Sequence, residues 1–330
     1  MTTGIARTIE FDHPGGPEVL QWRTRPLTAP GAGEVLIEQD AIGVNYIDIQ
    51  HRSGRYPLAA YPSSLGIEAS GHVLAVGEGV QDFSVGDRVA YIHLPIGAYT
   101  THRILPAGRV VPVPEGVPLD WAGVTLNRAL TAQYLVNDSF AVAAQHVVLV
   151  HAAAGGVGQL LAQWASHKGA RVIGTVGSAD KRELALAAGC HAVLINTSPD
   201  WVSSCRELTG GEGVHAVYDG IGGAMFEQSL LALRPNGVLA SYGTPAGPIP
   251  PFDIFRLNQL GSLHVTSPSI FTFNKTTAAL RERSADVFAQ ALAGVLRTDA
   301  PRLYAFDQAR EAHADLAARR TTGSIGLSTR

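Results

Sequence analysis

Apolar residues in the first third of the chain come in short runs that partly alternate with polar ones. Residues 34–44 and 68–76 show this pattern, which is typical of half-buried strands. Residues 83–90 follow a glycine-rich turn in a hairpin-like pattern, and no sustained helical period is evident between residues 34 and 113. A helix-like run at 119–136 then follows closely spaced prolines. The pattern predicts a β-rich first third that ends in a helix.

The middle third alternates between short apolar strands and helices. Strands are predicted at 145–151, 171–176, 191–195, 214–218 and 237–242, and helices around 157–165, at 181–188 and around 224–233. This β-α alternation implies an α/β fold with a parallel, doubly wound sheet. A strand at 262–267, a long helix at 276–296 and a final strand at 322–328 are predicted beyond it.

Composition narrows the classes of function. A length of 330 residues favours two domains at about 150 residues each. With 46% hydrophobic and 16% charged residues, the chain has no character of a disordered protein. The formal net charge of −3 is unlike that of proteins that grip phosphate backbones, so we expect no nucleic-acid partner.

Cysteine content and the N-terminal residues indicate the compartment. Cys190 and Cys205 are too few for a disulfide framework or a cysteine-rich zinc site, and their rarity is typical of a reducing compartment. The start of the chain lacks the apolar core of a signal peptide, and no apolar stretch approaches the length of a membrane span. We therefore expect a cytoplasmic protein with no membrane partner.

A glycine-rich turn follows the first strand of the middle third. On the G-x-G-x-x-G spacing, Ala153, Gly155 and Gly158 occupy the three key positions. The middle glycine lets the backbone approach a pyrophosphate, and the third lets the helix pack closely on the strand. The helix N-terminus then offers free N–H groups to phosphate. The context predicts a dinucleotide site; the alternative is a turn that packs the helix without any ligand.

The residues after the second strand of the middle third distinguish the two nicotinamide cofactors. An NAD site usually places a carboxylate at the end of this strand, and none stands there. Gly177, Ser178 and Ala179 follow the strand, and Asp180 comes directly before Lys181. Small and basic residues leave room and charge for a 2′-phosphate, so we expect NADP as the cofactor. The alternative for Lys181 is a solvated lysine at a helix start.

Other catalytic chemistries lack their motifs. The twelve histidines are scattered, with no H-E-x-x-H motif, so we expect no metal. A serine hydrolase is not supported either, because the G-x-S-x-G motif of the nucleophile elbow does not occur.

Longer motifs cover nearly the whole chain and resemble one family. They are GVNYID at 43–48, RSGRYP at 52–57, LGIEASG at 65–71, VGDRV at 85–89, GAY at 97–99, GTVG at 174–177 and RRTTGS at 319–324, together with the glycine turn. The chain resembles the quinone oxidoreductases, the ζ-crystallin-like branch of the medium-chain dehydrogenase/reductase superfamily. That resemblance implies a GroES-like β-rich catalytic domain from residues 1–124 and 266–330, with a Rossmann dinucleotide-binding domain at 125–265.

The resemblance also implies which residues contact the cofactor. The superfamily's zinc alcohol dehydrogenases carry Cys where Asn45 stands and His where Ile67 stands, so neither position supports zinc here. Some relatives carry Tyr near the adenosine phosphate where this chain has Thr197. The implied contacts are Asn45 and Thr131 near the nicotinamide, Gly156 and Val157 at the pyrophosphate beside Gly155 and Gly158, Ser178, Lys181 and Arg319 around the 2′-phosphate, and Tyr242 and Gly243 along the cofactor.

Three residues are candidates for the chemistry itself. A quinone is a strong hydride acceptor, and its product is a weaker base than an alkoxide, so polar donors suffice to stabilise the developing oxyanion. Asn45 and Tyr56 are the candidate donors, and Asp48, three residues after Asn45, would organise them on a helical turn. The alternatives are that Asp48 caps a turn and that Tyr56 only packs. His51 is either a proton shuttle or a surface histidine.

The resulting hypothesis is an NADPH-dependent quinone reductase that works without metal. One alternative is NADPH-dependent reduction of an activated C=C bond, as in related enone and alkenal reductases. Another is a non-catalytic NADPH-binding protein with a structural or RNA-associating role, against which the acidic balance argues. The family is commonly oligomeric, and the strand at 262–267 would extend a sheet across a two-fold axis, so we expect a homodimer.

Overall fold

The structure, a computed structural model, describes residues 4–318 and 320–330. The described part of the chain divides into two compact units. Unit 1 is drawn from Met1–Asn127, Thr276–Leu292 and Thr298–Arg330, and unit 2 from Arg128–Lys275 and Ala293–Arg297. Each unit contains its own sheets and its own hydrophobic core.

The strands are β1 Ile5–Phe11, β2 Gln21–Pro26, β3 Glu34–Gly43, β4 Ser63–Ser64, β5 Glu68–Val76, β6 Arg88–Ile92, β7 His102–Pro106, β8 Val110–Pro112, β9 Val147–Val150, β10 Arg171–Val176, β11 Ala192–Ile195, β12 Val214–Asp219, β13 Leu233–Ser241, β14 His264–Thr266, β15 Arg302–Ala305 and β16 Ile325–Ser328. The α-helices are α1 Tyr46–Arg52, α2 Leu119–Tyr134, α3 Gly156–His167, α4 Arg182–Ala187, α5 Trp201–Glu207, α6 Met225–Ala232, α7 Phe255–Gln259, α8 Ile270–Phe273, α9 Thr277–Leu292 and α10 Ala309–Ala317.

Unit 2 is built on a six-stranded sheet in the order β11-β10-β9-β12-β13-β14. All neighbouring pairs are parallel, for example Val172 of β10 beside Val148 of β9. The order reverses between β9 and β12, which is the place where open parallel sheets bind ligands, at the carboxyl ends of the strands. The doubly wound sheet predicted from the sequence is therefore confirmed.

Helices cover the unit 2 sheet through apolar side chains. Leu149, Ile173 and Val217, on β9, β10 and β12, are fully buried in one core cluster. That cluster also holds Trp201 and Cys205 of α5, a helix that the pattern of apolar residues did not predict. Because α5 is only seven residues long, its apolar positions do not establish a period that can be recognised from the sequence.

Unit 1 contains a seven-stranded sheet and a three-stranded sheet. The larger has the path β15-β16-β3-β5-β6-β8, with β7 also paired to β3; the smaller has the order β2-β1-β4. All pairs in unit 1 are antiparallel except β15 with β16. β3 pairs with β5 along one edge, and with β7 and then β16 along the other. The C-terminal strand is thus part of the β-rich unit formed by the first third of the chain.

Several elements of unit 1 differ from the sequence prediction. α1 lies in a region where no helical period is evident, since its seven residues complete barely two turns. β15 and α10 were not predicted either. Among the helices in the described ranges, none combines the length and the apolar character needed to cross a membrane.

Candidate active site

The glycine-rich turn, residues 152–158, follows β9 in unit 2 and runs into the start of α3. Gly155 caps α3 with φ −83° and ψ 172°, and its N–H donates to the carbonyl oxygen of Ala152 at 2.8 Å. Ala152 itself adopts a positive φ of 50°. A Cβ at Gly158 would overlap the Ala152 carbonyl oxygen and lie 2.8 Å from the Cα of Ala153. The close approach of helix and turn therefore requires glycine at position 158.

The first turn of α3 presents backbone donors. The N–H of Gln159 bonds to the Gly155 carbonyl at 3.0 Å, so the intrahelical bonds begin there and the N–H groups of Gly156, Val157 and Gly158 precede them. The positive end of the helix dipole adds to these donors. Among Gly156, Val157 and Gly158 only the valine carries a side chain. The first turn of α3 is therefore a cradle of backbone donors that fits a pyrophosphate.

The turn after β10 holds Ser178 and Lys181. Ser178 is exposed and Lys181 is half-buried, within a short helical turn, Ala179–Lys181, that leads into α4. A hydrogen bond from the Ser178 hydroxyl and the charge of Lys181 lower the pKa of Asp180. Polar and basic groups therefore stand together after β10, while the strand itself ends on the buried Val176. Arg319, the third residue expected at a 2′-phosphate, lies outside the described residues.

Tyr242 and Gly243 directly follow β13, beside the end of β12. The Tyr242 N–H donates to the Asp219 carbonyl at 2.9 Å, and its ring lies so close to Gly220 that a Cβ there would be 2.6 Å from Cζ. Burial raises the pKa of Tyr242, and the neighbouring Asp219 and Tyr134 raise it further. Tyr134 in turn is hydrogen-bonded to the side chain of Thr131, so the structure brings Thr131 into the same neighbourhood.

In unit 1, Asn45 stands at the start of α1 in a buried polar cluster. Its Nδ2 donates to Oε1 of Glu68 at 2.8 Å, and its Oδ1 accepts from Nδ2 of Asn127 at 3.4 Å. Glu68 also accepts the backbone N–H of Asn127 at 2.7 Å through Oε2. These bonds fix the orientation of the Asn45 amide. Glu68 and Asn127 were not among the predicted site residues, although Glu68 lies within the LGIEASG motif.

Asp48 lies three residues after Asn45 and is fully buried. Its Oδ2 accepts the N–H of Asn45 at 2.8 Å, and its Oδ1 accepts the N–H of Gly66 at 3.1 Å. Asp48 therefore caps α1, which was the alternative considered for it, and in doing so it also holds the backbone of Asn45. Burial raises the pKa of Asp48 to about 7, while these two hydrogen bonds oppose the shift and the charge of Glu68 adds to it.

Tyr56 lies on the surface of unit 1 beside His51. Its side chain is 43% exposed, and the two rings pack edge to face with centroids 5.7 Å apart. Nδ1 of His51 bonds to the Tyr56 carbonyl oxygen at 3.2 Å, and burial lowers the pKa of this histidine. Within residues 4–318 and 320–330, no hydrogen bond joins Tyr56 to Asn45 or Asp48. The structure therefore groups Asn45 with Asp48 but leaves Tyr56 apart from them.

The donor set around Asn45 does not suit a tetrahedral zinc ion. The Asn45 amide nitrogen donates to Glu68, and Ile67 is a buried alkyl group. In the described ranges, no group of three or more His, Cys, Asp or Glu side chains has the arrangement needed to hold a metal ion.

Known proteins share both the sequence and the fold. Residues 31–115 match the family model for the alcohol dehydrogenase GroES-like domain, and residues 156–285 match that for zinc-binding dehydrogenase. A quinone oxidoreductase of Pseudomonas aeruginosa is 39% identical over 98% of this chain and 99% of its own. A 2-haloacrylate reductase of a Burkholderia species is 39% identical over 95% of this chain and 96% of its own.

The fold comparison agrees. A crystal structure of the Escherichia coli quinone oxidoreductase complexed with NADPH matches with a TM-score of 0.94 and 38% identity, covering 98% of this chain and 99% of the other. The resemblance drawn from the motifs is therefore confirmed, as is the pairing of a GroES-like and a Rossmann domain. The chain belongs to the quinone oxidoreductase family of the medium-chain dehydrogenase/reductase superfamily.

Proposed function

We propose that the protein is an NADPH-dependent quinone reductase that works without metal. The observation that carries the proposal is the glycine cradle at the start of α3, where Gly158 lies too close to Ala152 for any side chain. Full-length relatives named quinone oxidoreductase, one of them complexed with NADPH, support the substrate and the cofactor. Bound NADPH would supply a hydride from its nicotinamide ring.

Unit 2 would hold the cofactor through its strand ends. The N–H groups of Gly156, Val157 and Gly158 would bind the pyrophosphate, with the helix dipole adding to the attraction. Ser178 and Lys181, which stand together after β10, would bind the 2′-phosphate. A charge-assisted hydrogen bond of this kind contributes about 1.5–3 kcal/mol, which favours NADPH over NADH. Tyr242 and Thr131 would border the remainder of the cofactor.

Unit 1 would supply the donor for the acceptor oxygen. A primary amide nitrogen carries two N–H groups, and Glu68 uses one of those on Asn45. The second would stabilise the oxygen that becomes negative as the hydride arrives. Asp48 would act by positioning Asn45, since its own carboxylate is enclosed. Tyr56, whose residue is 43% exposed, would contribute its hydroxyl as a second donor at the acceptor.

Reduction of an activated C=C bond is the second candidate function. The 2-haloacrylate reductase relative matches this chain as closely in identity as the quinone oxidoreductases do. In such a substrate the hydride goes to the β-carbon, while the carbonyl oxygen takes the charge. The same Asn45 donor would serve both reactions, so the acceptor preference needs a direct test.

We also propose that the protein is a cytoplasmic homodimer that acts on small molecules, without zinc, nucleic acid or membrane as partners. β14 is the last strand of the unit 2 sheet and pairs only with β13 among the described strands. An unpaired edge of this kind can extend a sheet across a two-fold axis. Both cysteines are free and buried, which suits a reducing compartment.

The test is NADPH oxidation by the purified protein with a matched panel of acceptors. We expect turnover with p-benzoquinone and naphthoquinones, a lower kcat/KM with cyclohexenone and a 2-haloacrylate, and weaker use of NADH. Metal analysis and treatment with a chelator accompany the assay, and neither zinc nor loss of activity is expected. Turnover of enones with none of quinones would transfer the proposal to C=C reduction. Binding of NADPH without turnover of any acceptor would overturn the proposal of an enzyme.

A further inference from the structure

Next to Asp48, unit 1 contains a row of buried polar side chains, Arg52, His313 and Tyr99, that the proposed chemistry does not use. Tyr99 and His313 are fully buried, and Arg52 is 5% exposed. They come from three distant parts of the sequence: Arg52 from the end of α1, Tyr99 from the segment before β7, and His313 from the middle of α10. Buried polar groups of this kind need complete hydrogen bonding, since an unsatisfied group costs about 1–3 kcal/mol.

The row is continuous. Arg52 Nη1 is 2.9 Å from Nδ1 of His313, and His313 Nε2 is 2.8 Å from the Tyr99 hydroxyl. The Tyr99 hydroxyl donates to Oδ2 of Asp48 at 3.4 Å. Nε of Arg52 donates to the Gly15 carbonyl at 3.1 Å, which anchors the far end. The rings of Tyr99 and His313 also pack edge to face with centroids 5.7 Å apart.

The chemistry of the groups gives the row a direction. A guanidinium can only donate, so Nδ1 of His313 has to be the unprotonated nitrogen. Nε2 then carries the proton and donates to the Tyr99 oxygen, which leaves the Tyr99 hydrogen for Asp48. Burial and the facing Arg52 charge lower the pKa of His313 to about 3, which keeps the ring neutral and this tautomer in place.

We propose that His313 is a positioning residue for Asn45: through Tyr99 it holds the Asp48 carboxylate that caps the helix on which Asn45 stands. This inference rests on the role given to Asn45 in the proposed function. A second contact supports it, since the Tyr46 hydroxyl donates to the Leu316 carbonyl at 3.1 Å and so joins α1 to α10 directly. The C-terminal helix would thus set the position of the donor at the acceptor.

Loss of the Tyr99 donor has a defined electrostatic consequence. The groups that face Asp48 are Glu68 on β5 and Tyr99, with His313 on α10 behind Tyr99, and Arg52 and Glu18 beyond them. The Tyr99 hydrogen bond lowers the pKa of Asp48, while Glu68 raises it. Removing the Tyr99 hydroxyl therefore raises the pKa of Asp48, and removing His313, whose Nε2 holds that hydroxyl, weakens the same hydrogen bond. Protonated Asp48 is a poorer acceptor for the Asn45 N–H. As the pH is lowered, the variants therefore lose activity at a higher pH than the wild type does.

The experiment compares Tyr99→Phe, His313→Leu and His313→Gln with the wild type. Gln can accept from Arg52 through its oxygen and donate to Tyr99 through its nitrogen, whereas Leu can do neither. We expect kcat for quinone to fall on the order of tenfold in Tyr99→Phe and His313→Leu, with KM for NADPH unchanged and the acid limb of kcat at higher pH. His313→Gln should keep both the rate and the pH profile near those of the wild type.

Two kinetic results would overturn the proposal. One is a His313→Leu variant with wild-type kcat and pH profile; the other is a folded His313→Gln variant as impaired as His313→Leu. Nitrogen NMR of the wild-type histidines gives a test that needs no turnover, and protonation of His313 at Nδ1 would also refute the direction of the row. If the wild type reduces no quinone, the proposed function fails on its own. Carbon NMR titration of Asp48 in the wild type and in Tyr99→Phe then still tests the positioning role. An equal pKa of Asp48 in the two proteins would refute that role.

Discussion

Gly158→Ala tests how closely α3 approaches the glycine-rich turn. A Cβ at this position would overlap the carbonyl oxygen of Ala152 and lie 2.8 Å from the Cα of Ala153. Non-bonded carbon atoms ordinarily approach to about 3.5 Å, so the start of α3 would have to move by at least ~0.7 Å. Both neighbours are backbone atoms, which cannot rotate away as a side chain can.

Two opposing free energies decide the sign of this mutation. Alanine is favoured over glycine inside a helix by about 0.8–1.0 kcal/mol, whereas overpacking a tight contact costs about 1–3 kcal/mol. We expect a net loss of about 1 kcal/mol in the free energy of unfolding. The effect on NADPH is larger, since the N–H groups of the first turn move with the helix, and Kd should rise by more than about tenfold. Calorimetric titration with NADPH and thermal unfolding measure the two effects.

Two matched glycines in the same region provide the controls. A Cβ at Gly155 would lie 3.1 Å from the Ala152 carbonyl oxygen, and one at Gly177 would have Asn196 Oδ1 as its nearest neighbour at 3.9 Å. Gly177→Ala should melt like the wild type, with the melting temperature of Gly155→Ala intermediate between it and that of Gly158→Ala. A Gly158→Ala protein that melts at or above the wild-type temperature and keeps its Kd would refute the close approach and, with it, the geometric basis of the cradle.

Three further predictions concern the cofactor and the donor cluster. Lys181→Ala should raise KM for NADPH about tenfold and leave KM for NADH unchanged in steady-state assays; equal changes for both cofactors would remove Lys181 from the 2′-phosphate. Burial raises the pKa of Asp48 from 3.8 to about 7. Between these two pH values Asp48 is protonated in the folded state and ionised in the unfolded state. The contribution of Asp48 to the free energy of unfolding therefore falls as pH rises. Asp48→Asn lacks this titration, so the free energy of unfolding measured with denaturant should decline more steeply with pH in the wild type than in the variant. Parallel curves for the two proteins would contradict the burial of Asp48. Tyr56→Phe should slow quinone reduction more than it weakens NADPH binding, and an unchanged kcat would exclude the Tyr56 hydroxyl from the reaction.

The sequence predicts unit 2 well because the signals there are local. The strand 171–176 has the predicted bounds, and the glycines of the turn after β9 lie close together in the sequence. Boundaries differ where one element runs directly into the next. The strand predicted at 237–242 begins at Leu233, immediately after α6, and runs through Asn236 with a positive φ of 59°. Turn residues such as Pro235 and Asn236 hide the start of that strand from a pattern of apolar residues.

The buried polar cluster around Asn45 could be predicted only in part. Asn45 and Asp48 are close in sequence, so their spacing on a helical turn is a local signal. Their other partners are not: Glu68 lies 23 residues from Asn45, and Asn127 lies 82 residues from it. His313, 214 residues from Tyr99, stands on a helix that the pattern did not reveal. Contacts at such separations depend on the tertiary fold, which no spacing within a single chain segment encodes.

Two glycines explain why the motifs of unit 1 contain the residues they do. A Cβ at Gly43 would overlap Oε1 of Glu68 and lie 2.6 Å from its Cδ. Gly66 has a φ of 86°, and a Cβ there would lie 2.6 Å from Cδ1 of Tyr99. GVNYID and LGIEASG therefore contain the two enclosed carboxylates, Asp48 and Glu68, together with two glycines. Gly43 makes room for Glu68, and Gly66 makes room for Tyr99, the hydrogen-bond donor to Asp48. A related chain with a side chain at Gly43 should consequently also differ at Glu68, and one that replaces Gly66 should differ at Tyr99.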